Sequence, residues 1–201
     1  MKKGLLALIA VVVLLLILVG SFSGQYNRFV GLQEGVEGQW GNVENVYQRR
    51  ADLIPNLVET VKGYAEHEQE TLTAVVEARA KATQMQAQLT PEALNDPETM
   101  AKFQQVQGEL SSALARLMVV VERYPDLKAN QNFLDLQAQL EGTENRIAVE
   151  RRRFNDLARD YNTAIRRFPG NIIAGLFNFG AKAYFEAAEG AAQAPKVDFG
   201  N

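Results

Sequence analysis

The chain has 201 residues, with 21 basic and 24 acidic side chains, one histidine and no cysteine. The near balance of charge excludes a broad basic surface for nucleic acid, and the lack of cysteine excludes disulfides, thiolate metal sites and cysteine nucleophiles. About 175 residues remain after an N-terminal apolar run, which is enough for one ordinary domain.

The first element is an uncharged run from Gly4 to Gly20. Extended to Phe22 it covers about 19 residues, close to the ~20 that a helix needs to cross a bilayer. A cleaved signal peptide is the alternative, but its apolar core is usually shorter, at ~7–15 residues. The length therefore favours a retained transmembrane anchor over residues 1–24.

Positive charge beside this run predicts its orientation. Lys2 and Lys3 precede it, whereas Arg28 is the one cation close behind it. Because cations stay on the cytoplasmic side, we expect the N-terminus in the cytoplasm and the domain on the periplasmic or extracytoplasmic side.

Helical spacing dominates the next segment. Apolar residues alternate at steps of four and three, which is typical of a helix with one buried face: Val36, Trp40, Val43, Tyr47, Ile54, Leu57, Val61 and Tyr64. Their phase is the same on both sides of Pro55, so we expect a kink there and not an end. Lys62 followed by Gly63 predicts the end of the helix, although one helix from about Asn27 to Leu89 is also compatible with the pattern.

Two more helices follow, with a linker between them. The second is predicted to bury Leu72, Val75, Val76, Ala78 and Ala82. In the linker, Thr90-Pro91 and Asp96-Pro97 each place a capping side chain before a proline, which indicates helix starts. The third helix is predicted to stop at Pro125 and to carry an apolar series of Phe103, Val106, Leu110, Ala113, Leu117, Val120 and Tyr124.

The last long helix has apolar residues seven apart, which is typical of a bundle seam: Phe133, Leu140, Ile147, Phe154, Tyr161 and Phe168. Pro169-Gly170 ends it. The predicted fold is all-α: a transmembrane helix, then an elongated up-and-down antiparallel four-helix bundle over residues 25–168, with its first helix kinked at Pro55. An apolar, aromatic tail over 169–201 contains a short amphipathic helix.

Arg50 falls on the buried seam of the first helix. Aligning the first and last helices antiparallel places Trp40 across from Phe154 and Arg50 across from Glu144. We therefore predict a semi-buried polar layer of Arg50, Glu144 and Arg151 that fixes the register of the bundle. The alternative is that the Arg50 guanidinium reaches solvent.

Motifs for catalysis are incomplete. His67-Glu68 begins H-E-x-x-H, but Thr71 stands where the second histidine is required, and a lone histidine cannot supply the usual zinc ligands. Carboxylates spaced along a bundle also need further histidines to hold two metals. We predict no catalytic, metal or cofactor site, no nucleic-acid partner and no small-molecule substrate.

Other residues indicate contact surfaces. Gly31, Gly35 and Gly38 recur at steps of three and four, which lets helices approach closely, although the same glycines also suit a frayed stretch. Arg166 and Arg167 suit anionic lipid if they lie near the membrane. We predict self-association or lipid contact through these residues, through Trp40 and through an apolar set in the tail. The tail set, which suits packing on the open end of the bundle as well, is Ile172, Ile173, Leu176, Phe177, Phe179 and Phe185.

Long blocks of the chain resemble the LemA family of bacterial membrane-anchored proteins. They are YQRRADLIPNLVETVKGYAEHE at 47–68, VVEARAKA at 75–82, YPDLKAN at 124–130, LEGTENRIAVERRRFNDLARDYN at 140–162 and FPGNIIAGLF at 168–177. The resemblance implies one N-terminal helix in the bacterial inner (cytoplasmic) membrane and a helical bundle. It implies no established reaction, and family descriptions that place the short N-terminus outside the cell leave the orientation open.

These observations predict a non-enzymatic scaffold that self-associates at the membrane surface as a homo-oligomer. An adaptor or sensor subunit of a membrane protease or signalling system, with a membrane-protein partner, is the alternative. An enzyme with an unrecognised carboxylate site ranks below both.

Overall fold

A computed structural model describes residues 2–186 of the protein, and within that range it is mostly helical and has no strand. The predicted all-α class is confirmed. The part of the tail beyond residue 186 lies outside the described residues. The helices are α1 (Lys2–Lys62), α2 (Gln69–Ala87), α3 (Pro97–Val121), α4 (Pro125–Lys128), α5 (Gln131–Arg166) and α6 (Gly170–Leu176).

Helix α1 joins the apolar run to the bundle without a break. Its 61 residues span about 90 Å at 1.5 Å per residue. The helix passes through Pro55 and ends at Lys62, as predicted. The alternative of one helix to Leu89 is wrong, because residues 63–68 are not helical and α2 begins only at Gln69.

The four long helices form an antiparallel bundle that is open on one side. α1 packs along α5 and α2, and α2 packs on α3, whereas α3 and α5 hardly touch each other. The Arg79 side chain of α2 donates to the Ala51 carbonyl of α1 at 2.6 Å. Gln86, seven residues later in α2, donates to the carbonyl of Glu44, seven residues earlier in α1, at 3.2 Å, which confirms that the two helices are antiparallel.

Local sequence sets the start of α3. Asp96 is its N-cap and accepts from the Glu98 amide at 3.2 Å and the Thr99 amide at 3.1 Å, with Pro97 at the first helical position. Thr90, the other predicted cap, precedes only a short 3₁₀ turn over Ala93–Asn95.

Three residues of the predicted seams are not buried. Val76 is 48% exposed, Tyr64 is 45% exposed and Phe168 is 82% exposed. Tyr64 and Phe168 lie beyond the ends of α1 and α5, where the chain no longer follows the helical phase. Val76 follows the buried Val75, and one step of about 100° turns it away from the core.

Candidate functional site

A polar layer divides the core of the bundle into two hydrophobic clusters. The cluster nearer the apolar run, which we call the membrane-side cluster, includes Tyr47, Phe103 and Ile147, and the distal cluster includes Ile54, Leu110 and Leu140. On each of three helices, one polar residue lies between the residue of the first cluster and the residue of the second. These polar residues are Arg50 on α1, Gln107 on α3 and Glu144 on α5, and they lie at the same level of the bundle.

Arg50 is the hub of this layer. The side chain is 2% exposed, and its Nη1 lies 2.8 Å from Glu144 Oε1. The same nitrogen donates to Ser111 Oγ at 3.1 Å, and Nη2 donates to Gln107 Oε1. The structure therefore brings together the two residues that the antiparallel alignment pairs, and the guanidinium does not reach solvent. Arg50 Nε has no hydrogen-bond partner among the described residues.

Arg151 does not belong to this layer. It lies seven residues after Glu144, which is two helical turns or about 10 Å closer to the membrane end. There it donates to Gln104 Oε1 at 2.9 Å and to the Glu186 carbonyl at 3.0 Å. Gln107, which sequence reasoning missed, carries a detectable signal: it falls between Phe103 and Leu110 at steps of four and three on the α3 seam.

An extended segment, residues 179–186, fills the membrane-side half of the gap between α3 and α5; we call it the C-terminal strap. Two asparagines of α5 bind its backbone in pairs. Asn162 donates to the Lys182 carbonyl and accepts from the Lys182 amide, both at 2.8 Å. Asn155 makes the same two bonds with Phe185, both at 2.8 Å.

The strap also carries a buried cation. The Lys182 side chain is 2% exposed, and its Nζ lies 3.3 Å from Glu37 Oε1. On the α3 side, the Ala183 amide donates to the Leu94 carbonyl at 2.8 Å and the Glu186 amide to Gln104 Oε1 at 2.9 Å. The strap therefore ties α1, α5 and the start of α3 together.

Three residues predicted to form contact surfaces lie in the core instead. Trp40 is 5% exposed, Ile173 1% and Phe185 5%. Phe185 enters the gap from the strap, and its ring centroid lies 6.1 Å from that of Trp40 and 5.4 Å from that of Phe154. Trp40 and Ile173 are covered because the strap and α6 close this end of the bundle, so these side chains form no outer surface.

Apolar side chains remain exposed at the same end, next to the apolar run. Leu176 is 67% exposed, Phe177 53% and Ile172 50%. The Phe177 ring packs edge-on to the Tyr26 ring of α1, with 4.9 Å between the ring centroids. The ring centroid of half-buried Phe179 lies 5.5 Å from that of Tyr26. The described side chains of the apolar run itself face solvent. Together they form one apolar surface.

Unpaired cations border this surface. Arg28, Arg166 and Arg167 are exposed, and within residues 2–186 none lies within 4.0 Å of a carboxylate oxygen. Arg28 and Arg167 line the same cleft beside Phe168.

The three glycines of α1 share one exposed face. Gly31, Gly35 and Gly38 lie within about 60° around the helix axis. A Cβ atom built on any of them meets no other atom within 4 Å. The face therefore has room for close approach by another helix.

Two buried tyrosines of the membrane-side cluster have shifted pKa values. Burial, with the Glu37 carboxylate nearby, raises the pKa of Tyr161 to about 12. Burial also raises the pKa of Tyr47, against the opposing effect of Arg151 and Arg50. Both hydroxyls therefore stay protonated at neutral pH and serve as neutral core groups.

Comparison with known proteins identifies relatives. The sequence profile of the LemA family matches residues 39–199. Magnetosome protein MamQ of Magnetospirillum gryphiswaldense is 27% identical over 175 residues, covering 80% of this chain and 64% of the relative. Protein LemA of Metamycoplasma hominis is 23% identical over 168 residues, covering 84% of this chain and 72% of the relative. The chain thus spans just under two thirds of the length of the MamQ relative, and neither name is that of an enzyme.

Proposed function

The chain belongs to the LemA family, and from that premise we propose that it is a membrane-anchored, non-enzymatic scaffold that self-associates at the membrane surface. The observation that carries the proposal is the apolar surface at the end of the bundle. Phe177 lies beside the last turns of an apolar run long enough to cross a bilayer, and the preceding Leu176 is exposed as well. Exposed apolar area of this kind marks a membrane or protein interface.

Lipid contact follows from the distance along α1. Arg28 lies six residues beyond Phe22, about 9 Å at 1.5 Å per residue, which reaches the headgroup layer when the apolar run spans the hydrocarbon. Arg166 and Arg167 lie at the same end of the bundle. Unpaired guanidinium groups at this depth bind anionic headgroups, which suit their bidentate geometry.

The lipid contact is tested by the lipid that co-purifies with the full chain. Arg166→Gln with Arg167→Gln is expected to reduce bound anionic phospholipid, measured by mass spectrometry after mild detergent extraction. Arg146→Gln with Arg152→Gln is the matched control, because it removes two exposed charges from the same helix at least 20 Å further from the membrane. Equal lipid in both variants would contradict the proposed contact.

Self-association is proposed through the glycine face of α1. Gly31, Gly35 and Gly38 face outward with free space above them, and small residues at such spacing allow close packing of helices. Gly35→Leu with Gly38→Leu is expected to shift the detergent-extracted protein from oligomer to monomer in light scattering. Gly142→Leu, on an exposed position of α5, is the control for the gain in helix propensity.

The outcome also separates the two candidate functions. A wild-type chain that is monomeric and co-purifies with one membrane protein would replace the scaffold proposal with the adaptor or sensor role. A large homo-oligomer that the glycine variants dissociate supports the scaffold.

The proposed location is the bacterial inner membrane, with residues 1–24 as the anchor, residues 25–168 as the bundle and the bundle outside the cytoplasm. Lys2 and Lys3 on the short side support this orientation. Protease added to spheroplasts is expected to degrade the bundle, and protection until the membrane is lysed would reverse the assigned side.

A further inference from the structure

The cleft that Arg28 and Arg167 line lies between α1 and the end of α5. Its wall on α1 consists of Gln25, Arg28 and Leu32, which share one face of the helix because they lie three and four residues apart. Its volume is about 350 Å³, within the ~300–1,000 Å³ typical of sites that hold a ligand. The cleft is therefore large enough for a phosphate together with the group that carries it.

The backbone of Arg167 is fixed at the end of α5. Its amide donates to the Thr163 carbonyl at 3.2 Å, and its carbonyl accepts from the Asn171 amide at 2.9 Å. The side chain is exposed, and no carboxylate oxygen of residues 2–186 lies within 4.0 Å of its guanidinium group. Arg167 therefore presents an unpaired cation from a fixed position.

Arg28 is held on the opposite wall by the packing of its neighbour, Phe29. Phe29 is fully buried and lies against Gly170, where a Cβ atom would come within 2.8 Å of the Phe29 ring. Only glycine leaves room for this approach of α1 to the segment that follows α5. Arg28 likewise has no carboxylate oxygen within 4.0 Å in the part of the chain that the structure describes. Two unpaired cations therefore line one cleft beside a close packing contact.

Charge is distributed unevenly along the cleft. Asp160 is the one carboxylate among the described residues that line it, and it lies seven residues before Arg167, about 10 Å further from the membrane. Its carboxylate also lies 3.9 Å from Arg159 Nε. The membrane end of the cleft is therefore cationic, and its two guanidinium groups repel each other unless an anion binds between them. A phosphate suits them, because its oxygens accept bidentate hydrogen bonds from guanidinium groups.

The residue after Arg167 favours a lipid as the source of the phosphate. Phe168 lines the same cleft and is 82% exposed. Arg28, on the other wall, lies at the depth of the headgroups when the apolar run spans the hydrocarbon. An exposed apolar ring beside a cationic cleft at that depth matches a ligand that carries both phosphate and hydrocarbon. A free phosphate ion would use the guanidinium groups and leave the ring without a partner.

We propose that the cleft binds one phosphate group per chain between Arg28 and Arg167. The headgroup of an anionic phospholipid is the favoured source, and a free phosphate ion is the other source with the same chemistry. The inference rests on the proposed lipid contact of this end of the bundle and deepens it from a general attraction to one site. Arg166, which is not among the residues that line the cleft, contributes only to the general attraction.

The first test counts lipids on the detergent-extracted full chain, titrated with phosphatidylglycerol and measured by native mass spectrometry. We expect the first lipid on each chain to bind at least about tenfold more tightly than the second. Arg28→Gln or Arg167→Gln should abolish this difference. The double variant should bind no more weakly than either single variant, because both side chains hold the same phosphate and their effects are not additive.

Arg166→Gln is the matched comparison, because it removes the same charge from the neighbouring residue. We expect it to weaken binding of the first lipid by no more than about twofold, which is the loss of a screened surface charge. Arg28→Lys and Arg167→Lys keep the charge and lose the bidentate geometry. Each should weaken the first lipid by at least about threefold, and circular dichroism checks that all variants are folded.

Two further titrations distinguish the sources of the phosphate. Phosphatidylcholine should show no tight first binding event, and inorganic phosphate, measured by calorimetry on the same full chain, should bind at least about tenfold more weakly than phosphatidylglycerol. Inorganic phosphate that binds as tightly as the lipid, and loses its binding in Arg167→Gln, would overturn the lipid headgroup as the source. Equally tight binding of phosphatidylcholine would overturn the preference for an anionic headgroup.

The variants also separate this inference from the proposal on which it rests. Equal losses for Arg28→Gln, Arg166→Gln and Arg167→Gln, with additive effects in combination, would overturn the site and leave the general lipid contact intact. No loss in any of the three variants would overturn both the site and the lipid contact.

Discussion

Arg50 is a permanent charge between the two hydrophobic clusters of the core. Removing a guanidinium from water costs several kcal/mol, which the 2.8 Å contact with Glu144 and the bonds to Gln107 and Ser111 offset. Such a layer adds little net stability. It does penalise any shift between α1 and α5, because a slip of one turn would leave Arg50 opposite apolar residues, so we propose that it fixes their register.

The layer predicts non-additive effects of substitution. Glu144→Leu alone is expected to destabilise the protein by about 3 kcal/mol, the low end of the ~3–5 range for breaking a buried pair, because the Glu144 side chain is 40% exposed. Replacing Arg50, Gln107 and Glu144 together by leucine is expected to be neutral or stabilising. Urea unfolding measures both, and a loss below about 1 kcal/mol for the single variant would indicate an ordinary surface pair.

Tyr161 predicts a loss of stability at high pH. Its pKa of about 12 in the folded state exceeds the ~10 of an unfolded tyrosine. The folded state therefore holds the proton more tightly, so the contribution of Tyr161 is complete below pH 10 and is lost as the pH rises from 10 to 12. Thermal unfolding across this range should show a smaller decrease in Tyr161→Phe than in the wild type. Identical pH profiles would contradict the prediction.

At the scale of elements, the strap is the piece that closes the bundle. A strap residue is not part of a helix, so its backbone needs partners elsewhere, and each asparagine side chain supplies one donor and one acceptor. Asn155 and Asn162 lie seven apart on α5, so both amides point to the same side of the helix. The two side chains thus give the strap backbone the hydrogen-bond donors and acceptors that a neighbouring strand supplies in a β-sheet.

The paired hydrogen bonds of the asparagines predict a measurable loss of stability when one asparagine is replaced. Asn162→Ala leaves the amide and carbonyl of Lys182 without partners inside the protein, which costs about 1–3 kcal/mol. Hydrogen exchange at Lys182 and Ala183 is expected to speed up, whereas the exposed Asn132→Ala on the same helix should leave it unchanged. Protection of these amides in Asn162→Ala would show that the strap is held by other contacts.

At the scale of the whole molecule, α1, α3 and α5 each contribute residues to both hydrophobic clusters. α1 and α5 extend past the polar layer in each direction without interruption. Neither cluster can lose its packing while these helices stay in place, so the clusters should unfold together.

The single tryptophan tests this cooperativity. Trp40 lies in the membrane-side cluster, with Phe103 and Phe154 edge-on at 5.6 and 5.7 Å, so its fluorescence reports that cluster alone. Far-UV circular dichroism reports all helices. We expect both signals to share one urea midpoint, whereas a later or earlier fluorescence transition would show two independently folding halves.

The sequence by itself determined the helices, most of their ends, the apolar run and the residue that faces Arg50. These features are periodic or local: apolar spacing marks a buried face, a capping residue before proline starts a helix, and two long antiparallel helices have a register that follows from their ends. The path of the strap, the open side between α3 and α5, and the burial of Phe185 were decided only by the tertiary structure. An extended segment bound by side chains tens of residues away has no periodic pattern, and its place depends on which two helices fail to touch.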